Sequence, residues 1–90
     1  MSNDVKYITD NTFYTCDYFY IIKQDYKNRK TSSYHIFDYK ANFLGDIKWY
    51  VSWRRYCFFP NADTVWDLHC LDKINEQLKI INDNYKGGLV

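Results

Sequence analysis

The spacing of apolar residues changes once along the chain, at Pro60, and this change limits the folds available to it. Between residues 14 and 59, aromatic and β-branched side chains alternate with polar ones, whereas beyond Pro60 apolar residues recur at steps of three and four. The first period is typical of β-strands and the second of a helix. Proline has no backbone N–H to donate and therefore ends the strand region. The sequence predicts an α+β fold.

Four segments carry the strand pattern: residues 14–24, 32–40, 43–51 and 55–59. Short polar stretches separate the last three, as expected for consecutive antiparallel hairpins. A longer, locally basic stretch follows the first segment, and residues 23–30 are expected to form a solvated loop. We therefore expect a small antiparallel sheet of three to four strands.

The segment after residue 60 predicts one C-terminal helix packed on one face of this sheet. Asp63 or Asp67 is the candidate N-cap, because a carboxylate there accepts hydrogen bonds from free backbone N–H groups. In the third strand, Phe43, Ile47 and Trp49 fall on one face, and Trp49 is expected to pack under Leu71, Ile74 and Leu78 of the helix. The apolar stripe of the helix consists of Leu71, Ile74, Leu78, Ile81 and Tyr85.

The chain length of 90 residues predicts a single domain, residues 1–90. Residues 1–12 are polar and are expected to form a frayed N-terminus. The paired glycines Gly87 and Gly88 follow the last periodic residue, as a helix stop does. We expect residues 86–90 to form a flexible tail.

Charge and hydropathy restrict the compartment and the class of partner. The formal net charge is +1, which lacks the basic excess typical of a non-specific nucleic-acid binder. The chain has no apolar stretch of about 18 residues, so no membrane span is expected. Residues 1–20 lack the apolar core of a secretory signal. Cys16, Cys57 and Cys70 show no close pairing, and we expect reduced thiols in a cytoplasmic protein.

No combination of residue types indicates catalysis or metal binding. The only histidines are His35 and His69, and no spacing joins either to a cysteine as a nucleophilic pair. The chain contains no C-x-x-C or H-x-x-x-H pair, the local spacings typical of structural zinc sites. It also lacks a glycine-rich phosphate loop. We therefore expect no catalytic residues, no metal site and no cofactor, and predict that the protein is not an enzyme.

The sheet carries more large apolar side chains than one helix can cover. An antiparallel sheet that is covered on one face usually shows polar residues on the other. Here aromatic residues, 21% of the chain, fall on both faces. Contiguous exposed apolar patches mark interaction sites. The second face is therefore expected to be covered by the N-terminal segment, by a second copy of the chain in a homodimer, or by a different partner.

Protein binding is the leading functional hypothesis. Trp, Tyr and Arg are the residue types enriched at interface hot spots. Aromatic residues on an open sheet also stack single-stranded bases, so a single-stranded nucleic-acid-binding protein is the alternative. A small structural or dimerisation protein is the third hypothesis. The candidate partner-binding residues are Trp53, Arg54, Arg55, Tyr56, Tyr18 and Tyr20.

The segment LGDIKWYVSWRRYCFFP, residues 44–60, resembles a segment of short uncharacterised bacteriophage and mobile-element proteins. The pattern is Leu-Gly-x-Ile-x-Trp followed by Trp-Arg-x-Tyr-x-Phe-x-Pro, and the resemblance covers residues 34–84. It is carried by Leu44, Gly45, Ile47, Trp49, Trp53, Arg54, Tyr56, Phe58 and Pro60. The resemblance implies a phage protein in the bacterial host cytoplasm. Small phage proteins often bind and inhibit host machinery, including restriction and CRISPR-type defences, so a host protein or nucleoprotein complex is the implied partner.

Overall fold

The computed structural model describes residues 11–85, which form an antiparallel sheet of five strands with one helix packed on one face. The elements are β1 (Thr12–Thr15), β2 (Tyr20–Gln24), β3 (Ser33–Phe37), β4 (Phe43–Tyr50), β5 (Arg55–Pro60) and α1 (Leu68–Asn84). The strands lie in the order β1-β2-β3-β4-β5, so each pairs with the strand before it. The predicted α+β class and the single C-terminal helix are confirmed. Apart from Thr12 in β1 and Asn11 before it, the predicted frayed N-terminus and the tail at residues 86–90 lie outside the described residues.

The expectation of three to four strands is wrong because the first predicted strand, residues 14–24, is two strands. The chain folds back at residues 16–19, where the Cys16 N–H donates to the Phe19 carbonyl at 3.0 Å. Strand β2 then runs antiparallel to β1. Phe19, the last residue of this turn, is buried in the core. An alternating pattern does not reveal a fold-back when the turn residues are themselves aromatic.

An irregularity in the pairing of β3 with β4 moves Phe43 to the face away from the helix. Ile36 pairs with Gly45, but the next residue, Phe37, pairs with Phe43, so Leu44 is skipped. The Phe37 and Phe43 rings then lie 5.7 Å apart on the outer face. The simple alternation of residues 43–51 predicted the opposite face for Phe43. A bulge of this kind shifts every side chain beyond it.

The hydrophobic core lies between α1 and the side of the sheet that faces it. The three central strands contribute side chains from this one face only, as expected for a sheet covered on one side. Removal of this apolar surface from water provides the main driving force for folding. The buried members are Phe19, Ile21, Tyr34, Ile36, Ile47, Tyr56, Ile74 and Ile81.

Helix α1 begins as predicted. Asp67 is the N-cap, and its side chain accepts from the Cys70 N–H at 2.9 Å. The predicted apolar stripe is only partly correct, because Leu71 is 43% exposed. Near this end of the helix, Trp66 packs against Phe58 with ring centroids 4.9 Å apart and supplies the apolar cover. Within residues 11–85, no helix is long and apolar enough to cross a membrane.

Asn82 attaches the far end of α1 to the edge strand β5. Its Oδ1 accepts from the Tyr56 N–H at 2.8 Å, and its Nδ2 donates to the Tyr56 carbonyl at 3.2 Å. These backbone groups lie on the free edge of the sheet, where unpaired groups would be costly to bury. The asparagine amide therefore takes the place of a neighbouring strand at this position.

We expect Asn82→Ala to lower the free energy of unfolding by about 1–3 kcal/mol, because two backbone groups lose their partners. Asn75→Ala is the matched control, since Asn75 is exposed on the same helix and gains the same helix propensity. The difference between the free energies of unfolding of the two variants, measured by urea denaturation, gives the contribution of the two hydrogen bonds. Equal stability of the two variants would show that the Asn82 amide contributes nothing.

The buried tyrosines predict a loss of stability at alkaline pH. Burial of Tyr34, with a contribution from nearby Tyr56, raises the pKa of Tyr34 from 10.0 to about 12. Burial also raises the pKa of Tyr56. The raised pKa favours the folded state below pH 10, and the unfolded chain ionises first as the pH rises. The free energy of unfolding should therefore fall between pH 10 and about pH 12.

Denaturant titrations at intervals from pH 9 to pH 12 test this dependence. Tyr34→Phe removes the titrating hydroxyl and should therefore reduce the slope of the free energy of unfolding against pH. Lysines also contribute to this slope, but their contribution is the same in the variant and in the parent chain. A variant with the same pH slope as the parent chain would contradict the assignment to Tyr34.

Candidate functional site

Three of the six predicted contact residues lie together at the β4–β5 turn, residues 51–54, and the start of β5. Trp53 is 64% exposed, and its ring packs edge-on against Tyr50 with centroids 5.1 Å apart. The Arg54 N–H closes the turn by donating to the Tyr50 carbonyl at 2.8 Å. Arg54 and Arg55 are exposed, and neither takes part in the ion pairs found within residues 11–85.

The other three predicted contact residues do not join this turn. Tyr56 is 3% exposed and faces the helix, where its hydroxyl accepts from the Ser32 N–H at 3.1 Å. Tyr20 is 7% exposed on the outer face of the sheet, and its ring stacks on Phe37. Tyr18 is exposed in the β1–β2 turn, at the opposite end of the sheet from Trp53. Tyr56 and Tyr20 therefore have little side-chain surface left for a partner.

A cleft of about 230 Å³ opens between the β4–β5 turn and the end of α1. Its walls are aromatic, since Trp49 and Tyr85 lie with ring centroids 4.9 Å apart. The expectation that Trp49 packs under Leu71, Ile74 and Leu78 is corrected: its ring is half-buried against Tyr56 and against Tyr85, the residue that follows α1. Arg54 and Arg55 stand at the rim. The lining residues are Trp49, Arg54, Arg55, Asn82 and Tyr85.

A second cleft of about 180 Å³ lies on the β2–β3 side of Tyr85. Lys23 and Lys30 supply its charges, although the sequence predicted only a solvated loop for residues 23–30. The Lys23 Nζ lies 4.0 Å from Asp25, and Lys30 has no ion-pair partner within residues 11–85. Together the two linings contain four cationic side chains and no carboxylate.

The outer face of the sheet carries a row of aromatic side chains. Neighbouring rings lie 5.7–5.9 Å apart, in the pairs Tyr20–Phe37, Phe37–Phe43 and Tyr50–Phe59. In the middle of the row, the His35 Nδ1 and the Asp46 Oδ1 are hydrogen-bonded at 2.5 Å. The Lys48 Nζ lies over the Phe59 ring, 4.8 Å from its centroid. Within residues 11–85, no second helix covers this face.

A third cleft, of about 540 Å³, lies between the β1–β2 turn and the first half of α1. It brings Cys16 and His69 together, which the sequence spacing did not indicate. Activated cysteines lie in cationic surroundings, whereas this cleft contains three carboxylates, from Asp17, Asp72 and Glu76, and one lysine. Within residues 11–85, no group of His, Cys, Asp and Glu side chains is arranged to hold a metal ion.

The cysteines carry no sign of special reactivity. All three are free thiols and are partly buried. Burial and the neighbouring Asp67 raise the pKa of the Cys70 thiol. A raised thiol pKa keeps the side chain protonated at neutral pH and lowers its nucleophilicity.

Comparison with known proteins gives no family assignment. No protein-family model matches the chain, and neither a curated protein nor a solved structure matches it. The likeness of residues 44–60 to phage proteins therefore stays a prediction.

Proposed function

We propose that this chain is a non-enzymatic binding protein that docks onto a host macromolecular complex through the β4–β5 turn and inhibits it. The observation that carries the proposal is the exposure of Trp53, 64%, beside two arginines on a hairpin turn. Trp and Arg are the residue types that most often dominate binding energy. A tryptophan on a hydrogen-bonded turn also loses little conformational freedom when a partner covers it.

The backbone of the turn supports a role for Arg54 in binding. Its φ of 55° lies in the left-handed region, which costs a non-glycine residue roughly 1 kcal/mol or more. Glycine would adopt this conformation without that cost. The Arg54 side chain is exposed and joins no ion pair within residues 11–85, which leaves its guanidinium group available to a partner. Residues in sparsely populated backbone conformations cluster at functional sites.

The resemblance of residues 44–60 to short phage proteins supports a host target. On this proposal the protein acts in the host bacterial cytoplasm as an anti-defence inhibitor of the anti-CRISPR or anti-restriction type. Inhibition would follow from covering a surface that the host complex needs. Such a mechanism requires a stable fold and an exposed contact edge but no catalytic group.

Two substitutions in the turn test the proposal. Trp53→Ala should weaken binding to the purified host complex by roughly thirtyfold or more, as expected for a hot-spot residue. Arg54→Gly should also weaken binding, while its free energy of unfolding stays the same or rises by about 1 kcal/mol. Affinity capture from host lysate with mass spectrometry identifies the complex, and calorimetric titration against the purified complex measures the affinity.

Val65→Ala is the matched control, because Val65 is an exposed apolar residue in the loop before α1, away from the turn. It should leave the affinity unchanged. Thermal unfolding of all three variants should stay within a few degrees of the parent chain. Turn variants that fold normally and bind with full affinity would exclude the β4–β5 turn as the contact edge.

The outer sheet face favours a second candidate function, single-stranded nucleic-acid binding. Its aromatic row and Lys48 offer stacking surfaces beside a cation, the combination used for sequence-tolerant binding of single strands. Phe43→Ala and Phe59→Ala would then weaken binding of a labelled oligonucleotide, with a steep dependence on salt. A second copy of the chain would cover the same face in a homodimer, and light scattering separates the monomer from the dimer.

A further inference from the structure

The two clefts beside Tyr85 bear on the chemistry of the partner. We infer that they form one basic groove, made by Lys23, Lys30, Arg54, Arg55, Trp49 and Tyr85, that binds an acidic segment of a partner protein. This inference rests on the proposed function, since it extends the contact edge from the β4–β5 turn to the β2–β3 loop.

Charge is the first argument. The groove contains four cations, and the only described ion pair among them joins Lys23 to Asp25 at 4.0 Å, both exposed. Exposed pairs of this kind contribute little and are easily exchanged for another carboxylate. The cleft at the other end of α1 holds three carboxylates and one lysine. The molecule is therefore polarised along the helix although its net charge is only +1, and this polarity orients an approaching anion.

The shape of the groove is the second argument. The half-buried rings of Trp49 and Tyr85 form apolar walls, and Arg54 and Arg55 line the same cleft. A guanidinium group holds a carboxylate with two parallel hydrogen bonds, which an ammonium cannot do. Lys23 and Lys30, on the other side of Tyr85, offer single point charges to a second carboxylate. The groove thus fits a peptide in which carboxylates flank an apolar side chain.

A single nucleic-acid strand is the competing polyanion. The charge of a nucleic-acid strand is uniform along its backbone. The phosphates that extend past the groove would therefore make no favourable electrostatic contacts with the rest of the surface. Strong phosphate-driven binders show a clear basic excess, and the net charge of this chain is +1. A peptide carries its charges only where the groove requires them, and the observations therefore favour an acidic protein segment.

A purely structural role for the cations makes a different prediction. The carbonyl groups at the end of a helix carry partial negative charge, and α1 has no basic residue in its last turn. Arg54, Arg55 and the two lysines would then serve to stabilise the helix end. In that case their removal would lower the free energy of unfolding and leave affinity for an anionic peptide unchanged.

The test uses the full chain, labelled with ¹⁵N, and three fluorescein-labelled probes. These are a short glutamate-rich peptide with one central phenylalanine, a lysine-rich peptide of the same length, and an oligothymidylate. We expect only the glutamate-rich peptide to shift the resonances of the Trp49 indole, Arg54, Arg55 and Tyr85, with an affinity that falls as salt is raised.

Variants that each lack two positive charges then show which cations contribute to peptide affinity. Arg54→Gln with Arg55→Gln, and separately Lys23→Gln with Lys30→Gln, should each weaken peptide binding by roughly tenfold. Lys40→Gln with Lys73→Gln removes the same charge at the opposite end of the molecule and is the control. It should leave the affinity unchanged.

Three results would overturn the inference: no resonance shift in the groove, tighter binding of the oligothymidylate there, or reduced stability of the arginine variant with unchanged peptide affinity. Binding to the captured host complex separates this inference from the proposed function. If Trp53→Ala loses the complex while the double arginine variant keeps it, the contact edge stands and the acidic-segment inference fails. If Trp53→Ala also keeps the complex, the proposed function fails.

Discussion

Replacing Phe19 by alanine is expected to lower the free energy of unfolding by about 3–5 kcal/mol. Phe19 is 0% exposed although it lies in a hairpin turn, and its ring packs against Tyr14 and Trp66 at centroid distances of 6.2 and 6.1 Å. The substitution leaves a cavity that these aromatic neighbours cannot fill, because Tyr14 is held in strand β1 and Trp66 in the loop before α1. Domains of this size have only about 5–15 kcal/mol of stability, so the substitution removes a large share of it.

Urea denaturation followed by circular dichroism measures the effect. Tyr18→Ala is the matched control, because Tyr18 is an aromatic residue in the same turn but is exposed, and its loss should cost less than about 1 kcal/mol. Phe19→Leu should stay folded and lose about 1 kcal/mol, which keeps the measurement possible if the alanine variant unfolds. Equal stability of the Phe19→Ala and Tyr18→Ala variants would contradict the position of Phe19 in the core.

Phe19 also shows what the sequence pattern does and does not reveal about the fold. Strands β3, β4 and β5 were predicted to within a few residues because their ends carry recognisable breaks, such as Pro60 at the end of β5. The turn at residues 16–19 reads Cys-Asp-Tyr-Phe and contains neither glycine nor proline. Its aromatic side chains continued the alternation, and two strands were interpreted as one. The Cys16 N–H closes the fold-back by donating to the Phe19 carbonyl, and burial of the Phe19 ring attaches the turn to the core.

The sequence indicated some residues of the candidate site and missed others. Trp53, Arg54 and Arg55 were predicted together because they are consecutive in the sequence. Alternation placed Tyr56 and Cys57 on opposite faces, but it does not say which face the helix covers, and Tyr56 proved to be buried under α1. Lys23, near the end of β2, and Lys30, in the β2–β3 loop, lie near the arginines because α1 ends between the β2–β3 loop and the β4–β5 turn. The proximity of these lysines and arginines depends on how the helix crosses the sheet, and the spacing of apolar residues does not predict that crossing.

The segment that resembles phage proteins mixes two physical roles. Ile47 and Tyr56 are core residues, and Gly45 sits where strands β4 and β5 approach closely. Trp53 and Arg54 have no comparable burial. A pattern of this kind therefore reports mainly on the β4–β5 hairpin as a scaffold. Under the proposed function, its turn residues are the ones that contact a partner.

Gly45→Ala is expected to lower the free energy of unfolding by about 2–4 kcal/mol, a large effect for the addition of one methyl group. Gly45 has a φ of 155°, a conformation that residues with a Cβ rarely adopt. A Cβ at this position would lie 2.7 Å from the carbonyl oxygen of Phe59 and 3.0 Å from the Cα of Pro60. Both are backbone atoms of β5, so no side-chain rotation relieves the contact, and β5 must move away from β4.

Lys48→Ala, at an exposed position of the same strand, controls for the strand propensity of alanine and should cost less than about 1 kcal/mol. Amide hydrogen exchange shows which strand pairing is destabilised. In Gly45→Ala, protection should fall at the β4–β5 pairing near Pro60 more than at the β2–β3 pairing. The β4–β5 turn lies at the other end of this hairpin, so the fraction that stays folded at low temperature should still bind the partner with near-normal affinity.

A Gly45→Ala protein as stable as Lys48→Ala would mean that close approach of the two strands does not require glycine. Loss of binding in a fully folded Gly45→Ala protein would mean that the contact surface extends to this end of the sheet.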